Sequence, residues 1–244
     1  MSIKSQKIGG KSMKWKQMLA IGLSAVTIMS AVQGEGIRVY AGTKTEVQNK
    51  ETKKTLAKAA VTASEYGSVV DSETISDETS KTEITWTVYD SGKLVIEGTG
   101  VTPDWSPWFN YKEDITDVII GDGITALGER NFMNYPTLKT VTVKGNLSKI
   151  GNSAFEGCKK LKNITVEGAT NAAGNKVLML GECAFKDCTG LENTEFTGNF
   201  VTYKNAFEGC TALRSVKVKE STMIMLGEYT FLNCTALTDA DLPG

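Results

Sequence analysis

Five phenylalanines, at positions 132, 155, 185, 207 and 231, each head a near-copy of one short segment, in steps of 23, 30, 22 and 24 residues. In every copy a leucine follows six positions later, at Leu138, Leu161, Leu191, Leu213 and Leu237. Three and five residues beyond that leucine stand alternating apolar pairs, Val141/Val143, Ile164/Val166 and Val216/Val218. Such alternation marks a strand with one face in a core and the other in solvent. A single copy has too few apolar residues to close its own core. Stacked copies set Phe on Phe and Leu on Leu, each fully buried aromatic contributing about 2 to 3 kcal/mol. A period of about 20 to 30 residues with this need for neighbours is the signature of a solenoid.

The copies are explicit. They read Ile150-Gly-Asn-Ser-Ala-Phe-Glu-Gly-Cys158, Leu180-Gly-Glu-Cys-Ala-Phe-Lys-Asp-Cys188, Ala206-Phe-Glu-Gly-Cys210 and Leu226-Gly-Glu-Tyr-Thr-Phe-Leu-Asn-Cys234. A degenerate fifth, Leu127-Gly-Glu-Arg-Asn-Phe-Met-Asn-Tyr135, precedes them with tyrosine in the cysteine slot, and the long step holds an insertion from Gly168 to Lys176. The pattern predicts an α/β solenoid: a short strand per coil in a parallel sheet, a tight glycine-containing turn, and one helical or 3-10 turn around Ala-Phe-x-x-Cys. Over residues 113–244 these segments resemble the BspA-like leucine-rich repeat of bacterial surface proteins. Tyr203 in place of the glycine, Thr194 in place of a strand aliphatic and the small Ala240 depart from that pattern.

Upstream, Glu83-Ile-Thr-Trp-Thr-Val-Tyr89 and Lys93-Leu-Val-Ile-Glu97 alternate around Asp90-Ser91-Gly92, a hairpin in which glycine supplies the positive φ. Residues 83–112 are therefore expected to cap the amino-terminal end. Trp105, Trp108, Phe109 and Tyr111 crowd the segment after the hairpin. They form either a plug over the first coil or, through Trp105, Trp108 and Tyr111, an aromatic platform for a sugar ring. The chain ends at Leu242-Pro243-Gly244 without an evident cap, so the expectation is a fragment or an end that pairs with something else.

The basic stretch Lys11-Ser-Met-Lys-Trp-Lys16, the apolar run from Met18 to Val32 and the approach Val39-Tyr40-Ala41 follow the order of a secretory signal peptide over residues 1–41. A permanent anchor would need about twenty apolar residues. Residues 42–82, rich in Thr, Ser, Lys, Glu and Ala, offer little apolar surface to offset the entropy of ordering and are expected to be a flexible linker. These features predict a secreted, cell-surface protein that meets the membrane only through its leader.

Charge and composition narrow the function. The net charge is -1, but six of the basic residues lie in 1–41 against one acid, so the remainder is about six charges negative. That balance argues against nucleic acid, whose phosphates call for a basic face. The sequence has no histidine, which removes imidazole bases and imidazole metal ligands. Glu129, Glu182 and Glu228 recur one residue after the repeat glycine, so the repeat itself explains them. Asp117, Glu167, Glu195, Asp239 and Asp241 are expected on outward strand positions. The reading is therefore not an enzyme, with no cofactor and no metal. Cys158, Cys188, Cys210 and Cys234 share one slot and are expected as a ladder of buried thiols, with disulfides as the alternative. Cys183 stands outside it as the exposed thiol. The candidate binding surface is the outward ladder Thr140, Thr142, Asn163, Thr165, Asn193, Glu195, Ser215 and Lys217. A rigid sheet presents such a ladder without an ordering cost. The resemblance implies adhesion, with host or neighbouring-cell proteins or polysaccharide as partners; a spacer presenting another domain is the alternative.

Overall fold

The computed structural model describes residues 65–242 and, ahead of them, the two short antiparallel strands β1 (Lys7–Ile8) and β2 (Lys11–Ser12). By contact the chain divides into Met1–Glu65 and Tyr66–Gly244. The expected leader, and the linker up to residue 64, lie outside the described residues.

The second unit is a succession of coils whose strands pair side by side. β3 (Val69–Asp77), β4 (Thr82–Tyr89) and β5 (Lys93–Val101) run antiparallel. β5 then begins two parallel sheets. Its first half pairs with β6 (Asp117–Ile120), followed by β8 (Thr140–Val143), β11 (Asn163–Thr170), β13 (Asn193–Thr197), β15 (Ser215–Lys219) and β17 (Asp239–Asp241). Its second half pairs with β7 (Ile124–Leu127), followed by β10 (Lys149–Ile150), β12 (Lys176–Leu180), β14 (Asn199–Thr202) and β16 (Ile224–Met225). The two-residue β9 (Asn146–Leu147) pairs with β11. The result is a parallel β-solenoid with two sheets and a third side made of turns.

The core runs through the middle of the coils as columns. Phe132, Phe155, Phe185 and Phe207 stack with centroids 5.2 Å apart and planes within 12°. Phe231 continues the column at 5.5 Å. Leu138, Leu161, Leu191 and Leu213 are buried in a second column, and Ile164, Val166, Val216 and Val218 behind the first sheet. At the other end Trp108 lies on Phe132 at 5.7 Å, fully buried, with buried Ile115 in the leucine column. Trp108 thus fills the phenylalanine slot of a coil that precedes the five recognisable copies.

The expected helical turn is absent, and with it the α component of the fold. Within residues 67–242 the one helix is the 3-10 turn Phe109–Tyr111. The segments around Ala-Phe-x-x-Cys are successive turns, because a left-handed residue stands two before and two after each phenylalanine. These are Arg130/Asn134, Ser153/Gly157, Cys183/Asp187, Asn205/Gly209 and Tyr229/Asn233, with φ between 53° and 73°. Left-handed residues at that interval cannot extend a right-handed helix. They instead direct three amides toward the next coil: Phe155 N–H donates to Ala184 O at 2.8 Å, and its neighbours Ser153 and Gly157 donate to Glu182 O and Lys186 O at the same distance. The third side of the solenoid is therefore also a hydrogen-bonded ladder.

One expectation about the amino-terminal part changes. The hairpin forms as read, with Gly92 at φ 82°. However, residues 69–77, assigned by composition to the linker 42–82, are the strand β3. Their hydroxyls meet those of β4, Ser72 with Thr87 at 2.9 Å and Thr74 with Thr85 at 2.8 Å, and Ile75 packs on the core. A low apolar count is enough at a sheet edge, where only one flank is covered. The repeat glycine also acquires a reason. A Cβ on Gly151 would lie 2.5 Å from the backbone of Gly128 in the coil below, so close approach of coils demands it.

Candidate functional site

The outward positions of the first sheet form straight rows because the strands are parallel and in register, about 4.8 Å apart. Asp117, Thr140, Asn163, Asn193, Ser215 and Asp239 are consecutive partners in one row. Thr165, Glu195, Lys217 and Asp241 are consecutive partners in the next. Thr142 pairs with Ile119 nearer the amino-terminal end. Inward neighbours Ile164, Thr194 and Val216 are buried, which holds the outward set in place.

Six of the eight predicted ladder residues share one place. Asn163, Thr165, Asn193, Glu195, Ser215 and Lys217 line a shallow depression of about 320 Å³, floored by the backbone between them. Thr140 and Thr142 are exposed on the same face but outside it. Asn193 Nδ2 donates to Asn163 Oδ1 at 3.3 Å, so the two amides are stacked and linked along the row. Glu195 is neutralised by Lys219 at 2.8 Å. Lys217 has no ion-pair partner among the described residues. The depression therefore offers amide donors and acceptors, hydroxyls and one ammonium flanked in its row by Glu195 and Asp241. No aromatic side chain lines it.

The rim carries charges that the sequence reading passed over. Lys139, Lys162, Glu192 and Arg214 occupy the same slot, one after the leucine, so 162 and 192 fall on adjacent coils. Lys162 Nζ lies 2.7 Å from Glu192 Oε1, and that hydrogen bond holds the Glu192 carboxyl below its usual range. At the amino-terminal end of the row, burial pushes the Asp117 carboxyl upward. The hydroxyls of Thr116 and Thr140 outweigh that and hold it low.

The other candidates separate. Trp108 is fully buried, Tyr111 is half-buried with its hydroxyl donating to Asp71 Oδ2 at 2.5 Å, and Trp105 is 65% exposed. Trp105, Trp108 and Tyr111 therefore form no common surface, and the platform reading falls to the plug. All five cysteines are free. Cys158, Cys188, Cys210 and Cys234 donate to the carbonyls of Phe132, Phe155, Phe185 and Phe207 in the coil below, at 3.0 to 3.1 Å. Burial pushes the Cys158 thiol up to about 12. Cys183 is half-buried, not open. Of the carboxylates, Glu129 accepts from Asn152 Nδ2 at 2.8 Å and Glu167 meets Lys176 Nζ at 2.5 Å. No group of three potential metal-ligating side chains occurs among the described residues. No helix there is long and apolar enough to cross a membrane.

Comparison with known proteins adds the family of the repeats. Residues 173–244, which hold Phe185, Phe207 and Phe231, match the model described as BspA type leucine rich repeat region (6 copies). No curated protein matches the chain. Among solved structures, a leucine-rich repeat protein from Eubacterium ventriosum is 16% identical over 70% of this chain and 85% of that one, with a TM-score of 0.35. The leucine-rich repeat protein of T. pallidum is 16% identical over 64% and 88%, TM-score 0.39. A leucine-rich cell surface protein of Faecalibacterium prausnitzii is 16% identical over 70% and 40%, TM-score 0.37.

Proposed function

Since residues 173–244 match the BspA type leucine rich repeat model, we propose that the chain is a secreted, surface-displayed binding module without catalytic activity, whose ligand sits on the outward face of the first sheet. One observation carries this reading. Asn163, Thr165, Asn193, Glu195, Ser215 and Lys217 converge on a single depression on a rigid face. The physics favours such a surface because its side chains are held by register and the ordering cost of binding is already met. Its chemistry, paired amides beside hydroxyls, a carboxylate and an ammonium, suits a polar ligand that both donates and accepts. A partner protein or a polysaccharide fits that description.

The test is a binding screen of the full chain against matrix proteins and glycans, repeated with Asn193→Ala/Lys217→Ala. Loss of about tenfold in affinity, equivalent to about 1.4 kcal/mol, for any ligand found is the expected result. A ligand bound equally by both proteins would place binding elsewhere, and no ligand at all from a folded chain would refute the adhesive role.

A further inference from the structure

The outermost strand of the larger sheet is β3. One side pairs with β4 through eight residue pairs, and the other has no strand partner among the described residues. In an antiparallel pair every second residue turns its N–H and C=O away from the partner. A nine-residue strand thus presents a row of main-chain donors and acceptors. Natural edges are closed by proline, by lysine, by brevity or by cover. Val69–Asp77 contains neither proline nor lysine and is among the longest strands of the fold. Its first residues, Val69 and Val70, are 54% and 46% exposed.

The side chains select what can pair there. Residues 69–83 hold Asp71, Glu73, Asp77, Glu78 and Glu83 against Lys81 alone. Asp71 is engaged by Tyr111 and Asp77 by Ser80 at 2.8 Å, whereas Glu73 is exposed at the strand centre. A second copy pairing about a two-fold axis at the strand centre would set Glu73 against Glu73, and like charges opposite one another disfavour a ladder. The same charges favour a basic strand.

We propose that the β3 edge is a strand-addition site for an extended lysine- or arginine-rich segment of a partner protein. The main chain supplies affinity and alternate basic side chains supply the match to Glu73 and its neighbours. This site is separate from the depression on the first sheet, so either assignment can fail alone.

The experiment uses the full chain and a fluorescein-labelled nonapeptide, Lys-Val-Lys-Thr-Lys-Val-Lys-Thr-Lys. Two controls accompany it, one with Glu for every Lys and one with Pro for every Val and Thr. Anisotropy should show binding of the first peptide only, with new hydrogen-exchange protection at those alternate amides of residues 70–76 that face away from β4. Glu73→Lys/Glu78→Lys should weaken it about tenfold or more, and Glu73→Gln, which keeps the strand's shape, about threefold. Asn193→Ala/Lys217→Ala should leave it unchanged. Equal binding of the proline peptide would reduce the interaction to charge alone and overturn strand addition. Protection, already present in the free chain, of the alternate β3 amides that face away from β4, or a dimer formed through this edge, would also overturn it.

Discussion

Replacing Thr194 by valine should stabilise the protein, and the same replacement at Thr202 should destabilise it. Thr194 is 2% exposed, lies between Ile164 and Val216 in the inward column, and its Oγ1 has no hydrogen-bond partner. An unpaired buried hydroxyl costs about 1 to 3 kcal/mol. Valine keeps the branched shape and puts a methyl where the hydroxyl was, so that penalty disappears with little repacking. Thr202 is equally buried, but its Oγ1 meets Thr230 at 2.9 Å and accepts Gly227 N–H at 3.0 Å. Valine there leaves the Gly227 N–H without its acceptor and removes the bond to Thr230, whose hydroxyl keeps Gly227 O at 2.7 Å, and should cost about 1 to 3 kcal/mol. For a domain of this size each kcal/mol moves Tm by about 2 to 4 °C. Calorimetry of the two variants should therefore show shifts of opposite sign. If Thr194→Val is neutral or destabilising while Thr202→Val behaves as expected, Thr194 has a partner and the reasoning about its orphan hydroxyl is wrong.

Three further outcomes follow from the columns. Phe185→Ala removes a ring stacked on both sides and should cost about 3 to 5 kcal/mol in urea unfolding, against less for the half-buried Phe231→Ala, stacked on one side. Iodoacetamide at pH 8 should modify Cys183 in the native chain but not Cys158, Cys188 or Cys210, whose thiols burial or the ladder keeps protonated; urea should expose all five. Asp117 is held below the ordinary aspartate value of 3.8, so its contribution is full above that pH and is lost as pH falls through the lowered folded value. Asp117→Asn should accordingly lower Tm at pH 6 and converge with the parent below about pH 3.

The columns were legible because each is a fixed offset from a phenylalanine, and burial repeats with that offset. The rows of outward residues were legible for the same reason, since a parallel register carries one coil's alternation to the next. Three things escaped. Residues such as Arg130, Cys183 and Tyr229 gave no sign of a left-handed backbone, because the slot tolerates any side chain that projects outward, although Asn134, Asp187 and Asn233 in the companion slot are residues that favour it. β3 was hidden because its order comes from hydroxyl pairs with β4 rather than from apolar content. Trp108 read as surface aromatic or plug until its stacking on Phe132 placed it in the same column as the phenylalanines. The lysine and glutamate at 162 and 192 share a repeat slot, so their ion pair could have been inferred from spacing alone.

The division between inward and outward rows lets the surface of such a chain vary without loss of its fold. Every inward position is answerable to two neighbours: Phe185 to Phe155 and Phe207, Cys188 to the Phe155 carbonyl below it, Gly151 to the backbone of Gly128. Substitution there propagates along the stack. Outward positions in the same strands answer mainly to solvent, and the first row changes from Asp117 to Thr140, Asn163, Asn193, Ser215 and Asp239 while the columns behind it stay apolar apart from Thr194. A change at Lys217 should therefore alter affinity while leaving the unfolding free energy within about 0.5 kcal/mol of the parent, the usual range for surface sites. A stability loss as large as that of a core substitution at Lys217 would show that the two sets are not independent, and that the face is part of the scaffold.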